Sequence, residues 1–477
     1  MTTFRALALC LAFFVLQTPN SADAQVLDGN FVFMSSCIGA SCDTTPAPNC
    51  NLSDQACATT TVANLRAVGA RHFLLPPQAD SLATIQHLAA EIDRVGLKFY
   101  VYEGWAWGID EGASCSRYAT RINTVLLPLL AAYPNSFAGI QLKDEPTPGQ
   151  LASLKNHAAC LRAHPALANL KLFLNLSPLD SNQLSGTIPP NQANYLQPEQ
   201  YGFGNNCAAG GITNPGAAAN QVGLYTSYVT TAANDIRPDY LATDIYPFNS
   251  IYAACPAARE FVMSEGLSIL AAAANLRGIT PIAYTQNTES TTPPMFYGYA
   301  HFHRLRWFTS WFYALGGKGI SNYRSNDYVF NGQHLRGILD NNNNPTRLFS
   351  DAQSTFGFTL PMQIELSKHP FKRFVAPFLA ANSGSIVGWM PSNDVLVGEY
   401  GTADDNEVML FFARRYPDQS ASIAHGQIGF TRWWSKVERY GLSPVTGAWT
   451  WQVVGVGTNT TSVDLSTFPG ALYRLTR

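Results

Sequence analysis

Eight short apolar runs, each followed by a longer stretch of helical period, constrain this chain more than any other feature. The runs are residues 31–34, 72–76, 97–102, 137–142, 172–176, 240–245, 281–285 and 319–323. Each is rich in Phe, Tyr, Ile, Val or Leu and is bounded by turn residues, the pattern of buried strands. Between them, residues 61–70, 81–95, 118–132, 150–164, 221–236, 257–276 and 296–315 carry a helical period. In 81–95, for example, Leu82, Ile85, Leu88 and Ile92 mark one apolar face. Strands alternating with helices imply a parallel sheet. Eight such units over about 300 residues imply an α/β fold closed into a (β/α)8 TIM barrel. An open doubly wound sheet is the alternative, but no G-x-G-x-x-G follows the first strand.

After Arg324 the pattern changes. Residues 341–344 with Pro345 form a turn, and 363–381 read as a last outer helix. From Ser385 short alternating runs dominate: 386–389, 395–399, 408–412, 437–440, 449–454 and 472–475. They predict a small C-terminal all-β domain, β-sandwich-like in layout. A barrel takes roughly 250 residues or more, so the 477-residue chain divides into a barrel over 25–384 and an accessory domain over 385–477.

The first 24 residues read as a signal peptide. Arg5 supplies the positive start, 6–16 the apolar segment and Ala22-Asp23-Ala24 an A-x-A cleavage site. Eight cysteines follow it: Cys37, Cys42, Cys50, Cys57, Cys115, Cys160, Cys207 and Cys255. An even count in an exported chain points to structural disulfides. No C-x2-C spacing suggests zinc, and no later segment is a membrane span. The expected location is therefore secreted or periplasmic. Charged residues are only 13% of the chain and the net charge is −2, so no clustered basic face is expected and nucleic acid is not an expected partner. A neutral, aromatic-rich surface suits a neutral ligand, and the chain is expected to act as a monomer.

Barrel chemistry sits where strands end and the following loops begin. Strand three ends in Glu103-Gly104-Trp105, strand four in Asp144-Glu145-Pro146 and strand five at Asn175. Strand six gives Asp244 and Tyr246. Strand seven gives Gln286 with Glu289 just beyond, and strand eight gives Asn322 and Arg324. Trp105, Trp107, Tyr246, Phe248 and Tyr323 place large aromatic faces with polar handles in or beside these loops, where a flat ligand could stack. Trp307 and Trp311, four apart on a helix, read as core against the barrel.

The segment from Ala138 to Pro146, ending Lys-Asp-Glu-Pro, resembles the strand-four motif of the large clan of barrel glycoside hydrolases, in which Asn-Glu-Pro or Asp-Glu-Pro carries the acid/base Glu. The segment from Asp239 to Pro247, ending Asp-Ile-Tyr-Pro, is similar to strand six of bacterial glycosidase-like proteins with the Asp-Glu-Pro variant. The segment from Gly316 to Tyr323 resembles their strand eight. The likeness covers most of residues 30–477, in pattern. It implies cleavage of glycosidic bonds in an oligo- or polysaccharide, with Glu145 as general acid and no metal or organic cofactor. Such chemistry needs a second carboxylate opposite the acid. In the clan that group is a Glu ending strand seven, where this chain has Gln286, and an amide cannot be that nucleophile. Asp244 is the favoured replacement; Glu103 and Glu289 are alternatives, and Gln286 is a candidate for orienting an N-acetyl group.

Plainer readings stand beside these. Glu145 can be a helix-start carboxylate, Asp244 a buried group fixing a turn, Glu103 a rim salt bridge and Arg324 a structural ion pair. Adjacent strand residues point to opposite faces, so the strand-four end must twist for Asp144 and Glu145 both to line a site. His301 and His303 sit two apart and share no helix face. No H-E-x-x-H, G-x-S-x-G or P-loop occurs. The alternative function is a non-catalytic carbohydrate-binding protein on a glycosidase scaffold; a lyase or transglycosylase is a third reading. In the C-terminal domain, packing is expected for Trp433, Trp434, Trp449 and Trp451 before sugar binding.

Overall fold

The computed structural model describes residues 27–34, 51–52, 54–75, 82–103, 115–185, 195–204, 207, 211–293, 295–330, 333–376, 385–390, 394–401, 406–417, 425–465 and 468–477. The signal-peptide reading, Trp105, Trp107, Cys37, Cys42 and Cys50 lie outside the described residues. The chain divides into two compact units. One is Gly29–Ala300 with Gly319–Ser354; the other holds residues 27–28, His301–Lys318 and Thr355–Arg477.

The first unit is the barrel. Strands β1 (Asn30–Phe33), β2 (Ala70–Leu74), β3 (Lys98–Tyr102), β4 (Phe137–Asp144), β5 (Lys171–Leu176), β6 (Tyr240–Asp244), β7 (Thr280–Gln286) and β8 (Gly319–Tyr323) close in chain order. All eight match predicted runs. Every neighbouring pair is parallel, and β8 closes on β1 through Phe31 opposite Ser321 and Val32 opposite Asn322.

Alternation along the strands sets what faces inward. Phe31, Tyr100, Phe173 and Tyr240 meet inside the barrel, with Phe31 5.1 Å from Tyr240, 5.3 Å from Phe173 and 5.5 Å from Tyr100 between ring centres. Gly139 on β4 makes room for this layer, since a Cβ there would lie 2.8 Å from the Tyr100 ring. Two residues further along come Phe33, Tyr102, Asn175 and Ala242, and Asp244 follows Ala242 by two more. Residues of aromatic parity thus carry the polar rim inward above an aromatic floor.

Among the described residues two disulfides, Cys115–Cys160 and Cys207–Cys255, lie in this unit, and Cys57 is disulfide-bonded as well. Among the described residues no helix is long and apolar enough to cross a membrane.

The second unit is built on one antiparallel sheet. Its strands are β9 (Phe371–Val375), β10 (Val387–Trp389), β11 (Val395–Gly401), β12 (Glu407–Arg414), β13 (His425–Leu442), β14 (Trp449–Asp464) and β15 (Gly470–Thr476), in the order β9-β11-β12-β15-β13-β10 with β14 paired to β13. A β-sandwich-like layout was expected. The 18-residue β13 is long enough to pair with β10, β14 and β15 at once, which joins the described strands into a single sheet.

The predicted outer helix at 363–381 is also revised. The helix runs Arg347–Ser367, with Pro361 inside it, and stops before Pro370. Phe371–Val375 is instead an edge strand paired with β11.

Trp307 and Trp311 are buried, as expected for core residues. Their helix, Phe302–Ala314, packs on the sheet of its own unit: Trp307 Nε1 donates to the Arg414 carbonyl at 3.0 Å. Of the C-terminal tryptophans, Trp434 is buried and Trp433 is 68% exposed.

Candidate active site

The site lies wholly within the barrel unit. Asn175, next to last in β5, is fully buried, and its side-chain nitrogen donates at 2.8 Å to both Asp144 Oδ1 on β4 and Asp244 Oδ1 on β6. The two amide hydrogens diverge, which sets those carboxylate oxygens about 5 Å apart. One amide thus ties three successive strand ends together.

The end of β4 solves the alternation problem in two steps. Register slips by one residue between Gln141 and Lys143, so Asp144 pairs with Asn175 and shares its inward face. Glu145 then adopts φ +45°, a left-handed conformation that costs energy for a residue with a Cβ. Its N–H donates to the Asn175 carbonyl at 3.0 Å. The following Pro146 carbonyl accepts from the Tyr228 hydroxyl. The helix-start alternative for Glu145 does not describe this turn. Thr147 caps the short helix that follows, its N–H donating to Gln150 Oε1 at 2.9 Å.

Electrostatics favour a protonated Glu145. Burial, with Asp144 and then Asp180 nearby, pushes its carboxyl up to about 8. Burial also raises Asp144, against the opposing Asn175 bond and the nearby Lys143 charge. Asp244 is raised by burial and by Glu145 and Asp144. Tyr195, Tyr246, Tyr297 and Tyr323 stand around these groups. Tyr246 lies 5.5 Å from Tyr297 and 5.2 Å from Tyr323 between ring centres, and the charges of Glu145 and Asp244 act on both Tyr195 and Tyr297.

The other predicted residues are placed differently. Glu103 is fully buried and bound by Arg121, whose Nη2 donates at 2.8 Å. Glu289 is held by Arg336 at 2.8 Å and by Arg347 Nε at 2.8 Å. Gln286 is 1% exposed, and its amide is spent on backbone: Oε1 accepts from Phe248 N at 3.0 Å, and Nε2 donates to Gly298 O at 2.8 Å. Asn322 donates to the Phe31 carbonyl at 2.9 Å. Arg324 stacks 4.0 Å over the Tyr328 ring and donates to the Tyr323 hydroxyl at 3.1 Å. The structure therefore brings together Asp144, Glu145, Asn175, Asp244 and Tyr246. It commits Glu103, Gln286 and Glu289 to other partners.

Sequence reasoning missed Asp180, Tyr195 and Tyr297. All three sit in loops with no period to mark them. Asp180 Oδ2 accepts from the Tyr252 hydroxyl at 2.5 Å. The only sequence signal was position: Asp180 opens the long loop after strand five.

No protein-family profile matches the chain, and no curated protein sequence matches it. Solved structures similar to it include several glycoside hydrolases. A GH30 endoxylanase from Clostridium papyrosolvens C71 aligns over 95% of this chain and 97% of its own, at 11% identity and a TM-score of 0.40. AbfB, a family 51 α-L-arabinofuranosidase from Bifidobacterium longum, aligns over 97% and 100%, at 10% identity and 0.42. A β-galactosidase from the Antarctic haloarchaeon Halorubrum lacusprofundi aligns over 64% of this chain, at 11% identity and 0.39, and the match spans only 56% of that enzyme. The closed (β/α)8 barrel itself is shown by the strand pairing; the chemistry has to be read from the chain's own residues.

Proposed function

We propose that the chain is an exported glycoside hydrolase acting on an oligo- or polysaccharide. Glu145 protonates the leaving oxygen, and Asp244 works across the sugar from it as nucleophile or base. The observation that carries this reading is the mouth itself. Glu145 and Asp244 are tied through Asn175, whose carbonyl accepts from the Glu145 N–H and whose amide donates to Asp244; their charges act on one another, and among the described residues neither is paired with a basic side chain. An acid catalyst must hold its proton near neutrality, and burial beside other carboxylates supports that for Glu145. The tyrosines at the mouth offer flat faces with polar edges for a sugar ring. Disulfides fit an oxidising compartment, so we place the protein outside the cytoplasm, working as a monomer without a cofactor.

The test is a panel of defined polysaccharides assayed for new reducing ends with the parent chain, Glu145→Gln and Asp244→Asn. Cleavage by the parent and its loss in both variants supports the reading. Full activity of Asp244→Asn would move the second role to another carboxylate, and full activity of Glu145→Gln would end the proposal.

Gln286 favours a second reading, a carbohydrate-binding protein that does not cut. It stands where the resembled clan has a carboxylate, and its amide is committed to the loop backbone. Binding on the same panel without any product would favour it.

A further inference from the structure

Asp180 is a fourth acid at the mouth beside Asp144, Glu145 and Asp244, and the mechanism above gives it no part. It lies four residues beyond β5, is 1% exposed, and among the described residues has no basic partner. Two contacts fix it, and a third fixes the start of its loop. Tyr252, from the short helix Ser250–Ala254 after β6, donates its hydroxyl to Oδ2 at 2.5 Å. Leu196 N–H donates to the Asp180 carbonyl at 2.7 Å, which brings in the segment carrying Tyr195. At the start of the same loop, Ser177 N–H reaches the Tyr228 hydroxyl at 3.4 Å, and that hydroxyl also holds the Pro146 carbonyl beside Glu145. The loop with Asp180 and the turn with Glu145 are therefore pinned to one side chain.

We propose that Asp180 is a positioning residue: clamped by Tyr252, it keeps a carboxylate beside Glu145 so that Glu145 retains the proton a leaving group needs. The role rests on Glu145 being the acid of this site. It needs Asp180 to be ionised while Glu145 is not. Burial raises Asp180 to about 6, with the Tyr252 bond opposing that rise, and Glu145 stands higher at about 8. Between those values Asp180 is charged and Glu145 neutral. The other charges acting on Glu145 come from Asp144, with Asp244, Tyr195, Tyr228 and Tyr297 coupled to it. Those coupled to Asp180 are Tyr195, Tyr201, Tyr225 and Tyr252.

The experiment titrates the Glu145 carboxyl in the full chain by infrared spectroscopy, its band isolated as the difference between the parent and Glu145→Gln. The same subtraction is repeated in Asp180→Asn and Tyr252→Phe backgrounds. In Asp180→Asn the midpoint falls by about one pH unit, because a like charge is removed. In Tyr252→Phe it falls less, because Asp180 loses the bond that favours its charged form. The basic limb of kcat/KM moves down with the midpoint. An unmoved midpoint in folded Asp180→Asn overturns the proposal. If that variant does not fold, Tyr252→Phe, which loses only a hydroxyl, decides in its place. If the protein cleaves no glycan, the infrared midpoint still reads the Asp180 effect, so a failed hydrolase reading is distinguished from a failed role for Asp180.

Discussion

One barrel rim carries two kinds of acid. Glu103 and Glu289 are buried against guanidinium groups, one from Arg121 and two from Arg336 and Arg347. Asp144, Glu145, Asp180 and Asp244 are held by Asn175, Tyr252 and backbone groups instead, and of these four only Asp144 has a cation, Lys143, acting on it among the described residues. A buried carboxylate is stabilised either by an opposite charge or by keeping its proton. The first solution gives rigidity. The second leaves a group that can exchange a proton with something else. Burial alone does not distinguish them, since Glu103 is the most buried of the set; the partner does.

The comparison breaks most sharply at the unpaired acids. Glu145→Gln is expected to lower kcat/KM on a cleaved glycan about 10²–10⁴-fold, the usual worth of a general acid, with an unchanged thermal transition at acid pH. Asp244→Asn is expected to lose activity on the same scale. Steady-state kinetics with matched melting curves check both. At the paired acids the effect should be on stability. Arg121→Ala leaves Glu103 buried without its guanidinium and is expected to cost about 3–5 kcal/mol, read from denaturant unfolding. A Glu103→Gln variant that lost activity while keeping its stability would move Glu103 into the reactive set.

Gln286 tests the boundary between the two. Gln286→Glu places a carboxylate at the end of β7. Here it would turn an oxygen toward the Gly298 carbonyl, which now accepts a hydrogen bond at 2.8 Å. The expected result is a loss of about 1–3 kcal/mol and no gain in hydrolysis. A rise in turnover would show that the strand-seven end can serve the reaction and would weaken the assignment of Asp244.

How far the site could be read from sequence follows from the same geometry. The eight strands were legible because parallel barrel strands are buried on both faces and read as apolar runs. Asn175 and Asp244 were legible as rim residues because each stands near the end of such a run. That Asp144 faces inward was not, because a one-residue slip in β4 decides it, and barrel closure rather than local pattern sets that slip. The partners of Glu103 and Glu289 were hidden because Arg121 and Arg347 arrive from helices 18 and 58 residues away. Asp180, Tyr195 and Tyr297 were hidden because loops carry no period. Strand β9 was missed because its Phe-Lys-Arg-Phe-Val sequence is half-exposed at an edge and follows directly on helical text.

The gentlest probe is pH itself, with no residue changed at the paired acids. Glu145 has a folded-state value, about 8, above its ordinary value of 4.5. The folded chain therefore binds a proton there that the unfolded chain releases. Below about 4.5 both states hold the proton and the stability contributed is complete; as pH rises toward 8 the unfolded state is increasingly favoured, and above 8 the contribution is gone. One such group gives a slope of at most about 1.4 kcal/mol per pH unit. Asp180, raised to about 6, adds a second contribution of the same sign between 3.8 and 6. Unfolding free energies measured from pH 4 to pH 9 should fall across this window in the parent chain and fall less steeply in Glu145→Gln. Equal slopes in the two would mean that Glu145 is ionised in the folded state at neutral pH, and the unpaired set would then lack its acid.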